Sequence, residues 1–236
     1  MGIVWMNVTH GQVRANFEVV GDRVAQALAR SGRTSPPRVL VASKYLSADE
    51  MGVLHEAGIH LVGENRADEL EKKWRKWNEV FEFHFIGHLQ SRKVRQVLPY
   101  VSLIHSVDSI SLVEELDRRT ESEVKVLLEV NVAGEESKYG ILPEAAEAFL
   151  ERAAAYRRIV FVGLMTMAPL VDDPEAARPH FRGLRELRDR LATAFTGRYG
   201  ITELSMGMSN DFEVAVEEGA TIVRVGSALF SSGQGG

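Results

Sequence analysis

Lys44 closes the segment VLVASK (39–44), an almost uninterrupted apolar run that follows Pro36 and Pro37. A primary amine carried on a rigid buried strand, with its head at the strand mouth, is suited to condense with an aldehyde or ketone. A solvated loop lysine is the ordinary alternative for such a position, so Lys44 alone decides nothing. Two later segments change the weighing. ELSMGMSND (203–211) leaves an apolar run through Ser205, Gly207 and Ser209, and VRVGSALF (223–230) leaves another through Gly226 and Ser227; each then enters a helical pattern. Glycine lets backbone N–H groups approach an anion, serine adds hydroxyl donors, and a helix start adds a positive dipole end. Two such turns side by side describe a phosphate cradle. Arg224 lies within the last apolar run, where an inward guanidinium must find an acceptor or bear a large desolvation cost.

These groups need elements that bring residues 44, 205–209 and 224–227 to one place. Short apolar runs fall near 38–43, 59–62, 83–86, 101–105, 124–131, 159–164, 201–205 and 221–225. Helical patterns lie near 48–57, 66–77, 91–98, 109–120, 143–155, 174–194, 210–218 and 227–230, after an amphipathic first helix carrying Val13, Phe17, Val20, Val24 and Leu28. Ser47 with Glu50 reads as a capping box, Pro143 and Pro174 suit a first helical position, and Ser209 suits a cap before Phe212. Parallel strands each followed by a helix predict a single (β/α)8 TIM-type barrel preceded by an N-terminal helix; an open doubly wound sheet is the alternative. In a barrel every strand's C-terminal end faces one working surface. That surface collects Lys44, Gly63, Glu64, Asn65, Gly87, His88, Ser106, Asp108, Asn131, Met165 and Thr166 along with the cradle. Strand ends always meet polar loops, which accounts for many of these residues individually.

Composition removes several functions. With 236 residues and 45% hydrophobic content the chain reads as one domain, 1–236, ending in a flexible tail at about 231–236. Its formal net charge of -5 offers no global field for nucleic acid or an anionic membrane. The absence of cysteine excludes disulfides, zinc thiolates and thiol nucleophiles. MGIVWMNVTH has no secretion signal, Met6 stands where a myristoylation signal wants Ser or Thr, and no apolar stretch is long enough to span a membrane, so a cytoplasmic protein is expected.

A strand-end amine, a phosphate cradle and an inward arginine together suit a phosphorylated aldehyde, and pyridoxal 5′-phosphate is such a molecule. From Val39 to Phe230 the chain resembles the pyridoxal phosphate homeostasis protein family, through VASK (41–44), VGEN (62–65), HFIGHLQSRK (84–93), IHSVDS (104–109), EVNVAGEESKYG (129–140), GLMTMAP (163–169), LSMGMSNDFE and VRVGSALF in order. The resemblance implies a barrel like the N-terminal domain of alanine racemase, with the cofactor held as an internal aldimine on Lys44. It implies Ser205, Ser209, Gly226 and Ser227 around the phosphate, Arg224 facing the pyridine nitrogen, and Asn65 and Met165 near the ring. A cationic arginine there weakens the ring as an electron sink. Arg66, Ala67 and Arg92 depart from the family pattern and put loop contacts in doubt rather than the cofactor.

The expected role is therefore a monomeric cofactor-binding protein of intracellular pyridoxal phosphate homeostasis, handing the cofactor to apo enzymes and without strong catalysis. The alternatives are a racemase-like enzyme of amino acids, for which no second acid–base group stands out, and a Schiff-base aldolase on a phosphorylated sugar, in which Arg224 lacks a role. His84 and His88 straddle a strand end and read as packed or surface residues, not metal ligands. Lys72, Lys73, Arg75 and Lys76 read as a solvated helix face with Trp74 turned inward, and Lys138 as an exposed ion-paired residue or a secondary landing site for the cofactor.

Overall fold

The apolar runs are buried on both faces, and only a closed sheet under a ring of helices provides that without an exposed edge. In the computed structural model, which describes residues 9–135, 138–169 and 171–231, they close into a parallel barrel in the order β1 to β8, so the open doubly wound alternative does not apply. The strands are β1 (Arg38–Ala42), β2 (Leu61–Glu64), β3 (Glu82–Phe85), β4 (Leu103–Val107), β5 (Val124–Glu129), β6 (Ile159–Met165), β7 (Glu203–Ser205) and β8 (Ile222–Val225). The helices are α1 (His10–Ser31), α2 (Gly52–Glu56), α3 (Ala67–Trp77), α4 (Val94–Val97), α5 (Ile110–Arg119), α6 (Ala146–Ala153), α7 (Arg178–Ala194), α8 (Phe212–Glu217) and α9 (Ser227–Phe230). The tail expected at about 231–236 falls outside the described residues beyond Ser231, as do Glu136 and Ser137 of the EVNVAGEESKYG segment.

Alternation along each strand divides the core. Leu40, Leu103, Leu127, Met165 and Ile222 pack together inside the barrel, while Val41, Val62, Phe83, Ile104, Leu128, Leu164 and Val223 face the helices. Pairing Leu40 with Arg224 closes the ring between β1 and β8. Gly163 permits a close approach of β6 to β7, since a Cβ there would stand 2.1 Å from the Glu203 carbonyl oxygen.

Helix α1 spans that closing seam. Thr9 caps it, its hydroxyl accepting from the Gln12 amide at 3.3 Å, and Gly32 ends it in the left-handed region at φ 67°. Arg23 reaches Glu213 on α8 at 2.6 Å, and Asn16 donates to the Leu229 carbonyl at 2.9 Å. Pro143 and Pro174 each open a 3-10 turn ahead of α6 and α7. Two expected caps act differently. Glu50 accepts from both the amide and the hydroxyl of Ser47 at 2.7 Å, but this closes a turn ahead of α2. Ser209 does not cap α8; its hydroxyl is committed to the next loop.

Candidate functional site

A pocket of about 250 Å³ opens at the C-terminal end of the barrel between β1 and the loops after β7 and β8. Its lining includes Lys44, Asn65, Ser209, Arg224, Gly226 and Ser227. Lys44 is in the single 3-10 turn Ser43–Tyr45 that follows β1, is exposed, and holds its ammonium 5.0 Å from the centre of the Tyr45 ring. The strand therefore ends two residues before Lys44, and the amine is carried by a turn seated on it.

Across the pocket the loops after β7 and β8 are bound to each other. The Ser209 hydroxyl oxygen accepts from the Gly226 amide at 3.1 Å and the Ala228 amide at 3.3 Å, so two backbone donors already converge on one oxygen. Gly207 sits at φ 87°, which lets the β7 loop fold onto α8. A Cβ on Gly226 would lie 2.8 Å from Tyr45 Cε2 and 3.4 Å from Ala42 Cβ, so glycine is what lets this cradle press against the Lys44 turn.

Arg224 forms the pocket floor. It is 6% exposed, and its guanidinium donates to the Ser205 hydroxyl at 2.6 Å and to the Thr166 carbonyl at 2.8 Å. These bonds use two of its five N–H donors. Burial lowers its pKa to about 10, which still leaves it cationic at neutral pH. Asp211 also lines the pocket; its carboxylate accepts from the Met208 amide at 2.6 Å, and burial raises its pKa.

A family model described as alanine racemase, N-terminal domain, matches residues 23–233. The pyridoxal phosphate homeostasis protein of Aquifex aeolicus is 42% identical over 214 residues, covering 89% of this chain and 93% of its own. The chain belongs to the pyridoxal phosphate homeostasis protein family. A crystal structure from Bifidobacterium adolescentis is similar at a TM-score of 0.85 and 38% identity, covering 93% of this chain and 95% of its own. PipY of Synechococcus elongatus, solved with pyridoxal phosphate bound, is similar at a TM-score of 0.76 and 32% identity, covering 88% of this chain and all 100% of its own.

Within this homeostasis-family barrel, two expected site residues stand away from the pocket surface. Met165 packs in the inner apolar layer and Ser205 is fully buried beneath Arg224, because each is the last strand residue and points along the barrel interior rather than into the mouth. Met167, two residues beyond Met165, reaches the lining instead, as do Tyr45, Ile86 and Met208.

Sequence reasoning also missed the anchor beneath the amine. Glu64 and Lys73 are an ion pair whose side chains are each 1% exposed, so Lys73 does not belong to a solvated basic face. Glu64 also accepts from the Ser43 hydroxyl at 3.1 Å, the Asn65 amide at 2.7 Å and the Arg66 amide at 3.2 Å, while Lys73 donates to the Ser43 carbonyl at 2.8 Å. One buried pair thus holds the turns that present both Lys44 and Asn65.

Two further flagged residues, His88 and Lys138, have structural partners. His88 stacks on Tyr139 with ring centres 3.8 Å apart, and Lys138 pairs with Glu135 at 2.9 Å while only 24% of its side chain is exposed. Among the described residues no group of three His, Cys, Asp or Glu side chains could hold a metal, and no helix is long and apolar enough to cross a membrane.

Proposed function

We propose that this protein binds pyridoxal 5′-phosphate at the barrel mouth and holds it reversibly on Lys44, keeping the cofactor for other proteins rather than turning over a substrate. The observation that carries this reading is that a primary amine, a buried cationic donor and a two-loop anion cradle line one pocket. The donor set fits the group: Gly226 and Ala228 amides already meet an oxygen, and Arg224 has N–H groups left for a ring acceptor.

When bound, the cofactor supplies an aldehyde carbon that condenses with a primary amine and releases water. Lys44 provides that amine, the Ser209, Gly226 and Ser227 loops hold the phosphate, and Asn65 flanks the ring. Arg224, which stays positive and keeps N–H donors free, would serve as the donor to the pyridine nitrogen and so would disfavour protonation of that nitrogen. Because Lys44 is exposed, water has access to release the cofactor, which suits exchange better than chemistry that needs a dry site. The relatives are named for homeostasis and not for an activity, which supports the same role. The reading extends to a monomeric, single-domain cytoplasmic protein that delivers the cofactor to apo enzymes.

Borohydride reduction after incubation with pyridoxal phosphate, followed by peptide mapping, is expected to find a pyridoxyl group on Lys44. Its absence there rejects the proposal. Parallel assays of amino-acid racemisation and of transfer to an apo enzyme separate carrier from catalyst, and turnover at ordinary enzymatic rates of about 1 per second or more would reject the carrier role.

A further inference from the structure

Inside the barrel, below Arg224, polar side chains from three strands stand in single file. The Ser205 hydroxyl is 2.6 Å from Arg224 Nη1 and 2.9 Å from His105 Nδ1; His105 Nε2 is 2.9 Å from His84 Nδ1; and His84 Nε2 is 2.8 Å from Glu82 Oε1. Ser205, His105 and His84 are fully buried, whereas Glu82 is about half exposed and lines a depression at the opposite, N-terminal end of the barrel. The file thus connects the pocket floor to the far face of the molecule.

Its hydrogens can be assigned. The Glu82 carboxyl is held down to about 2, chiefly by its bond to His84, so it is ionised and only accepts. His84 Nε2 must therefore carry a hydrogen. Burial keeps His84 and His105 neutral; Arg38, Glu82 and Glu203 face His84, and His84, Arg38 and Arg224 face His105. A neutral His84 then accepts at Nδ1 from His105 Nε2–H, and His105 accepts at Nδ1 from the Ser205 hydroxyl. Ser205 is left with lone pairs toward Arg224, which only donates. Every bond in the file has one donor and one acceptor, all running in one direction. A cationic His84 would reverse the two middle bonds, His84 to His105 and His105 to Ser205, placing hydrogens on both Nδ1 atoms.

Building on the cofactor reading above, we propose that His84, His105 and Ser205, oriented from Glu82, are positioning residues that fix the Arg224 guanidinium for a ring acceptor in the Lys44 pocket. A carboxylate on the far face thereby sends the Ser205 hydrogen toward His105, away from the pocket arginine. Thr166 fixes the second nitrogen through its carbonyl, so the guanidinium plane is held at two points.

The test has two arms. In the wild-type protein without ligand, imidazole nitrogen NMR at pH 7.5, assigned by single-histidine variants, is expected to show His84 and His105 as neutral Nε2–H tautomers. An Nδ1–H form of either ring overturns the assignment. In the second arm, the absorbance of added pyridoxal phosphate is titrated against Ser205→Ala, His105→Leu and His105→Asn, with thermal midpoints recorded to confirm folding. Ser205→Ala, which removes the charge-assisted bond from Arg224, and His105→Leu, which removes the acceptor that orients Ser205, are expected to weaken binding about tenfold and to move the absorbance maximum. His105→Asn, which keeps an acceptor near the Nδ1 position, is expected to recover most of the affinity. Folded Ser205→Ala and His105→Leu that bind within about twofold of wild type with an unmoved maximum would overturn the positioning role. Failure of the wild-type protein to take up the cofactor would reject the cofactor reading instead, and the tautomers would still decide the order of the file.

Discussion

Replacing Lys73 with methionine tests whether the buried pair under the amine is an anchor. The substitution conserves stem volume but removes the ammonium, leaving the Glu64 carboxylate with a side chain 1% exposed and no counter-charge. Breaking one partner of such a pair typically costs about 3–5 kcal/mol. Glu64 keeps its bonds from Ser43, Asn65 and Arg66, so the lower end, about 3 kcal/mol, is expected. Unfolding entropy for a chain of 236 residues is roughly 0.5 kcal/mol per degree, which converts that loss into a fall of about 6 °C in Tm. Differential scanning calorimetry at pH 7.5 measures it. Lys73→Met combined with Glu64→Gln removes the orphaned charge and is expected to recover most of the loss. A fall below about 2 °C in the single variant, or no recovery in the double, refutes the anchor. Because Lys73 also holds the Ser43 carbonyl, the single variant should label more slowly at Lys44 under borohydride trapping.

Three further outcomes follow from named contacts. Burial, then the charge of Asp108, pushes the Glu129 carboxyl from 4.5 up to about 7. A raised carboxyl contributes stability below about 4.5 that is lost as pH rises through 7, so Glu129→Gln should gain on the order of 2–3 kcal/mol relative to wild type between pH 5 and pH 8, read from urea midpoints; an unchanged difference contradicts this. Gly226→Ala places its Cβ 2.8 Å from Tyr45 Cε2 and is expected to weaken pyridoxal phosphate binding about tenfold by absorbance titration, whereas unchanged affinity would show that the close approach is dispensable. Gly163→Ala meets the Glu203 backbone, which cannot yield as a side chain can, and should prevent barrel closure; a soluble variant with the wild-type circular dichroism spectrum would contradict it.

Much of the working face was legible because its signals are local. Lys44, Gly226 and Ser227 follow apolar runs within two residues, Ser209 lies four residues beyond one, and α9 begins at the expected Ser227. β2 and β4 start later than their apolar runs: Ile59 is buried and Val101 packs against the core before pairing begins, and apolarity does not distinguish packing from a ladder hydrogen bond. Lys73 carried a usable signal, since Ala67, Leu70 and Lys73 share one stripe of α3 at three-residue spacing. His84 alternates with Phe83 and Phe85 and so had to point into the barrel. That it meets His105 depends on the pairing register of β3 with β4, and β4 shifts register against β5 between Ile104 and Val107, which no local pattern encodes.

The seam between β1 and β8 divides the pocket by time as well as by space. Lys44 is made early during synthesis, but Ser209, Arg224 and Gly226 arrive in the last stretch of the chain, together with the α8 and α9 partners of α1. An unfinished chain carries the amine without the cradle or the guanidinium. Under the proposed function, capture of a reactive aldehyde in the complete pocket is thereby deferred until the ring has closed.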